Sequence, residues 1–419
     1  MTLKAAMNTG PLDGVRIIDM TSVVMGPYAT QILADFGADV IKVESPAGDT
    51  TRRVPPMRHD GMGSTFLHAN RNKRSIVIDL KHPDGVGALL VLLRTADVLV
   101  YNVRPRAMER LGLDQERLAA ANPRLITISL VGFGQDGPYA DHPAYEDLIQ
   151  GLTAVPSMLV DAGSEAPHYV PLSFNDRAVG LNGAIALVSA LYRRERSGRG
   201  QHIEVPMFET MVQATYGDHL GGLTFEPPLG GPGYLRQLNK ERKPYRTLDG
   251  YICVIAYTDR HWQAFFELIG QPAAMAADPR LRDIGSRTEH ASAVYALMAE
   301  HMGTRSTAEW LKCLREADIP AAPLHTLSSI LEDPHLVATG FIQTVEHPTE
   351  GLVRQIGIPS KWSESPPSVR RQAPRLGEHS VEVLREAGLD AQSIAALITS
   401  GGIRTASDPT PPGAPSVGK

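Results

Sequence analysis

VRIIDMTSVVMGPYATQILADFGADVIKVE, residues 15–44, reads as strand, helix, strand. VRIIDM (15–20) and DVIKVE (39–44) are short runs rich in Val and Ile, as expected of strands covered on both faces. Between them, PYATQILADFGA (27–38) carries apolar residues near helical spacing. A helix joining two such strands predicts a crossover unit and a parallel pair. The pattern then repeats. SIVIDL (75–80), the helix DGVGALLVLLRTA (84–96), the strand DVLVYNV (97–103), the helical runs RAMERLGL and LDQERLAAANP, and the strand RLITISLVG (124–132) follow. A later block adds the helix RAVGLNGAIALVSALYRRE (177–195), the turn SGRG and the strand QHIEVPMF (201–208). The fold class expected is α/β, with a large Rossmann-like domain built on a parallel sheet and a smaller α/β domain.

Composition shifts near residue 221, where GGLTFEPPLGGPGYLRQLNKERKPY (221–245) reads as a Gly/Pro-rich loop. RTLDGYICVIAY (246–257) follows as a hairpin turning at Asp249-Gly250, and helices are expected at 261–270, 289–303 and 307–317. The large domain is assigned to 10–220, the small one to 221–335 and a return segment to 336–395, with a last helix at 380–389. RTASDPTPPGAPSVGK has no apolar period, so 403–419 is expected to be a disordered tail.

At 419 residues, the chain is long for one core, which agrees with two domains. Its net charge is −5, and the basic residues are scattered, so a nucleic-acid partner is not expected. The longest uncharged apolar stretch, 179–192, falls short of the ~20 residues of a membrane span. The opening MTLKAAMNTG lacks the apolar core of a secretory signal. Cys253 and Cys313 are too few for a disulfide framework or a zinc site, which fits a reducing compartment. A cytoplasmic enzyme is the expectation.

Gly132, Gly134 and Gly137 spell a GxGxxG string after a strand, but Pro138 and a turn-prone segment follow instead of the helix that a dinucleotide site needs. There is no Walker A or GxSxG sequence, and the histidines show no metal-ligand spacing. Two carboxylates stand out. Asp176, in SFNDRAVGLNG, precedes a small-residue-rich helix, where it is either an N-cap or a nucleophile already ionised at neutral pH, near helix N–H groups able to stabilise an oxyanion. Glu146, in PAYEDLIQG, is either a solvated helix-start carboxylate or a second member of the site.

These segments together resemble the class III CoA-transferases, the group of formyl-CoA transferase, carnitine CoA-transferase and α-methylacyl-CoA racemase. The likeness runs in order through 11–52, 71–85, 98–113, 126–138, 144–151, 190–209, 246–254 and 331–341. It implies that Asp176 is the catalytic carboxylate, carrying aspartyl anhydride and aspartyl-CoA thioester intermediates, with Glu146 assisting. Coenzyme A, as acyl-CoA substrate rather than a permanently bound cofactor, is then expected at Val24, Met25, Ile78, Asp79, Leu80, Lys81, Asn102, Val103, Arg104 and Arg110. Lys42, Lys73 and Arg74 become candidates for its phosphates, and no metal is implied. The partners implied are acyl-CoA, a small carboxylic acid and a second copy of the chain in an interlocked homodimer.

Two departures bear on substrate. Val24 stands where formyl-CoA transferase has a glutamine, and Gly230-Gly231-Pro232-Gly233 stands where it has four glycines, which argues against formate or oxalate. Arg52 and Arg53 are candidates for a second carboxylate of a dicarboxylic acid. The alternative activity is 2-methylacyl-CoA racemisation, but Tyr145 occupies the position of that branch's histidine, and His142 lies three residues early.

Overall fold

The computed structural model describes residues 10–406. Its contacts divide the described residues into two compact units, one of 10–149, 172–211 and 336–406 and the other of 150–171 and 212–335. Residues 150–171 and 212–220, expected in the large domain, group with the second unit.

The first unit holds β1 (Arg16–Met20), β2 (Asp39–Glu44), β3 (Lys73–Ile78), β4 (Val98–Tyr101), β5 (Ile126–Val131) and β6 (His202–Pro206). They form one sheet in the order β3-β2-β1-β4-β5-β6, all parallel. Side chains alternate between its faces. Ile17, Val40, Val98 and Ile126 enter one core cluster, with Leu33 and Ala34 of the helix Met25–Asp35 and Val179, Leu187 and Leu191 of the helix Phe174–Ser197. Ile18, Ile41, Ile76 and Leu99 enter the other, with Leu89 and Leu93 of the helix Pro83–Leu93 and Val383, Leu384 and Ile394 from the C-terminal helices. Helices on both faces make the sheet doubly wound.

The helix Phe174–Ser197 stops at Gly198, whose φ of 69° is left-handed. On the same helix, Gly180 lets the first helix come close. A Cβ there would lie 2.7 Å from the Met25 carbonyl oxygen.

The C-terminal segment differs from the expectation. A helix, Ala391–Ser400, follows Ser380–Glu386, and Ile403–Arg404 forms β12, which pairs antiparallel with β3 at the sheet edge. The start of the expected tail is therefore ordered, because the outer N–H and C=O groups of β3 offer it a ladder. The rest of that segment, 407–419, lies outside the described residues. Residues 342–356 form the hairpin β10 (Ile342–His347) and β11 (Gly351–Ile356).

The second unit carries a three-stranded antiparallel sheet of β7 (Tyr245–Arg246), β8 (Tyr251–Val254) and β9 (Ala321–Pro323). β7 and β8 are joined across Asp249-Gly250. Helices Asp259–Leu268, Ala291–Met302 and Thr307–Glu316 supply Trp262, Phe265, Met298, Met302 and Trp310 to its core. Two of these helices start in capping boxes, Thr258/His261 and Ser306/Glu309.

Candidate active site

Two clefts open where the parallel strands end. The larger, about 480 Å³, is lined by the turn after β1 (Ser22, Val23, Val24, Met25), by Asn102 and Arg104 after β4, by Tyr145 and Glu146, and by Ser173, Asp176 and Met207. The smaller, about 340 Å³, is lined by Thr21 and Ser22, by Asp49, by Ile78 to Lys81 after β3, and by Val103. Ser22 belongs to both walls. Asn102 fixes it by a reciprocal pair: the Ser22 N–H donates to Oδ1 at 3.1 Å, and Nδ2 donates to the Ser22 carbonyl at 3.0 Å.

Nine of the ten residues assigned to coenzyme A from the sequence therefore line these clefts. Val24, Met25, Asn102 and Arg104 line the larger; Ile78, Asp79, Leu80, Lys81 and Val103 line the smaller. Arg110 lines neither, and its Nε donates to the Arg106 carbonyl one helical turn back. Ser22, Val23 and Met207 were not singled out in the sequence. Serine and methionine carry no distinctive signal there, and nothing in a valine announces the φ of +72° that Val23 adopts.

Asp176 is not the N-cap. Ser173 holds that position without a side-chain cap bond, and Asp176 is the third helical residue. The capping oxygens come from Glu146: the Asp176 N–H donates to Oε2 at 2.9 Å and the Asn175 N–H to Oε1 at 3.3 Å. Glu146 opens its own helix, Glu146–Leu152, so one carboxylate serves a helix N-terminus other than its own. Two of the N–H groups that an oxyanion could use, those of Asn175 and Asp176, are thus already engaged by Glu146. Asp176 itself faces the cleft. Burial, then the neighbouring Glu146 charge, push its pKa up to about 6, opposed by Arg177.

The expected phosphate cations are committed elsewhere. Lys42 is buried, with Nζ 2.9 Å from Asp49 and 2.8 Å from the Thr21 carbonyl. Lys73 is buried against Asp19 at 3.0 Å. Arg74 pairs with Asp39, Glu382 and Glu386 at 2.7–2.9 Å. Both lysines point inward because a parallel strand covered on both faces offers no outward side. Arg52 is also buried, paired with Glu44 at 2.7 Å and stacked 3.7 Å over Phe66. Arg53 lines a separate cavity of about 320 Å³ with Arg375 and Arg404. Neither arginine shares a wall with Asp176, which removes the sequence argument for a dicarboxylate clamp.

The GxGxxG string is a loop after β5 that leads to no helix before Glu146. Its Gly134 and Gln135 N–H groups are taken by Glu209 and Glu204. Among the described residues, no group of three or more His, Cys, Asp or Glu is placed to hold a metal ion. No described helix is long and apolar enough to cross a membrane.

Sheet order and cleft position define a doubly wound α/β protein with its ligand crevice outside the carboxyl ends of the strands. Comparison with known proteins narrows this class. The model of CoA-transferase family III matches residues 12–380. Formyl-CoA:oxalate CoA-transferase of Rhodopseudomonas palustris (strain BisA53) is 34% identical over 94% of this chain and 98% of its own length. Succinyl-CoA:mesaconate CoA-transferase of Haloarcula marismortui is 34% identical over 91% of this chain and 97% of its own. A solved CaiB/BaiF family protein from Brucella suis superposes with a TM-score of 0.74 at 30% identity, over 90% of this chain and all of that one. The chain belongs to CoA-transferase family III, a family of enzymes whose substrates are CoA thioesters.

Proposed function

We propose that this enzyme moves coenzyme A from a small acyl-CoA donor such as succinyl-CoA to a carboxylic acid acceptor, through covalent intermediates on Asp176. The observation that carries the reading is the Asp176 carboxylate itself. It sits half-buried on a 480 Å³ cleft whose other walls are strand-end turns, the place where this fold accepts a ligand. The similarity to the succinyl-CoA:mesaconate enzyme supports the choice of donor.

In the first step, an Asp176 oxygen attacks the thioester carbonyl, and the C–S bond breaks to give CoA thiolate and an aspartyl–acyl anhydride. The thiolate then attacks the aspartyl carbonyl, releasing the donor acid as its carboxylate and leaving an aspartyl-CoA thioester. The acceptor carboxylate attacks that thioester, expelling the thiolate again and forming a second anhydride. Thiolate attack on the acceptor's own acyl carbon yields the new acyl-CoA and returns Asp176 as a carboxylate. Each leaving group is a thiolate or a carboxylate, so no step expels a strong base.

Glu146 assists by holding the helix start and by keeping a negative charge beside Asp176. Lys81 and Arg104, exposed cations on the two clefts, are assigned to the CoA phosphates. The active species is a homodimer. Leu181, Ile185, Val188 and Tyr192 stand on one face of the helix Phe174–Ser197, each 40–66% exposed, a stripe that a second copy would cover.

The test is acyl exchange with succinyl-CoA and a panel of carboxylic acids, read by mass spectrometry of the CoA products, with Asp176→Ala alongside. New acyl-CoA species that disappear in the variant are expected. Undiminished exchange by Asp176→Ala would sink the covalent role. Deuterium uptake at the α-carbon of a 2-methylacyl-CoA, without exchange, would mark a racemase.

A further inference from the structure

We infer that the buried Lys42–Asp49 ion pair is a positioning device for the cleft, holding the turn after β1 in a left-handed conformation at Val23 so that the following helix start faces the ligand. The inference rests on the proposed reading of the clefts as a CoA site.

Val23 has a φ of +72°, a region that β-branched residues avoid because Cβ meets the backbone. Such a conformation persists only where the surroundings over-determine it. Here three successive residues are tied down. The Thr21 carbonyl accepts from Lys42 Nζ at 2.8 Å. Ser22 is held at both its N–H and its carbonyl by Asn102. The Val23 N–H is shared by the two Asp49 oxygens at 3.3 Å each. One ion pair, 2.9 Å long, therefore grips the turn at two points, through the lysine at residue 21 and the aspartate at residue 23.

Asp49 is itself fixed from the other side by the Thr51 N–H at 2.9 Å and the Thr51 hydroxyl at 2.8 Å. Burial disfavours charge on both partners, but the surrounding opposite charges prevail: Asp19, Asp49 and Glu44 keep Lys42 protonated, and Lys42 keeps Asp49 ionised. A buried pair of this kind is poor evidence for stability, since apolar side chains of equal volume do as well. What apolar side chains cannot do is accept the Val23 N–H. The turn then delivers the chain to Val24 and Met25, on the larger cleft, at a helix start with no side-chain cap. Lys42, a candidate for the CoA phosphates in the sequence, thus acts from beneath the turn.

The experiment combines Asp49→Asn and Val23→Gly, singly and together, with binding of free coenzyme A measured by titration calorimetry and folding followed by thermal melting. Glycine occupies the left-handed region unaided. Asp49→Asn is expected to weaken CoA binding about tenfold or more in the native background, and less than about threefold in the Val23→Gly background. Val23→Gly alone sets the baseline of the cycle, because Val23 itself lines the larger cleft. Equal losses in both backgrounds, or no loss in a folded Asp49→Asn, would overturn the inference. If Asp49→Asn fails to fold, the double variant should fold and bind CoA, and its failure is equally decisive. Wild-type protein that binds no CoA would instead refute the reading of the clefts. The coupling is then read from melting temperatures, where Asp49→Asn should cost more in the native background than beside Val23→Gly.

Discussion

A carboxylate whose pKa is pushed up to about 6 behaves in two measurable ways, one kinetic and one thermodynamic. On the proposed mechanism, the attacking group is ionised Asp176, so kcat/KM should fall as pH drops below about 6. Glu146→Gln should move that acid limb to lower pH by removing a neighbouring negative charge, as a pH–rate profile would show. A limb unmoved by the substitution would separate Glu146 from the titration. The thermodynamic sign is opposite to that of a salt-bridged acid. Between about pH 4 and 6, the unfolded chain has already lost this proton while the folded chain keeps it, so stability falls as pH rises through that window. Above it, ionised Asp176 lowers stability by at most about 3 kcal/mol, less after allowance for its partial exposure. Asp176→Asn should therefore lose about a thousandfold or more in transfer while its melting temperature at pH 7 rises; a lower melting temperature would contradict this. At this scale, the sequence told residue type well and surroundings poorly. Asp176 and Glu146 were legible as a pair of candidates, but a lysine on a doubly covered strand looks the same in sequence whether it reaches a phosphate or a buried aspartate.

Helices and strands were legible wherever periodicity and burial coincide. β1 through β6 fall on the β-branched runs, and the helix Phe174–Ser197 falls on its small-residue stretch with Gly198 at its end. The short edge strand β12 was not legible, since two residues carry no period and owe their pairing to β3. Nor was the capping of one helix by Glu146 at the start of another, which depends on long-range approach rather than on local sequence. Gly180 ties two of these elements to the site. With Met25 on one helix and Asp176 on the other, Gly180→Ala would place a methyl 2.7 Å from the Met25 carbonyl and push the helices apart. The expected cost is about 1–3 kcal/mol. A higher KM for acyl-CoA should accompany it, because the Val24–Met25 wall moves relative to the carboxylate; unaltered stability and KM would show that the helices yield without consequence. Arg52 is a contrasting case within the short 3-10 helix Thr50–Arg53. Removing this buried partner of Glu44 should destabilise by about 3–5 kcal/mol in a denaturant titration, with no selective loss of any acceptor class.

On the scale of the whole chain, the proposed homodimer makes a distinct prediction. Ile185 is 66% exposed at the middle of the apolar stripe, and a charge there would be buried in a symmetric contact. Ile185→Glu should shift the protein toward monomers in sedimentation and lower its activity; an unchanged dimer would place the contact on another surface. The order in which the main sheet is completed also follows from its topology. Ile78 on β3 pairs with Ile403, a partner made 325 residues later. At about 5–20 residues per second, a ribosome needs roughly 15–65 s to supply it. For that whole interval the nascent sheet presents a bare, Ile- and Val-bearing margin to every neighbouring polypeptide. Slowing translation in the second half of the message should therefore raise the chain's dependence on chaperones, while leaving the finished enzyme unaltered.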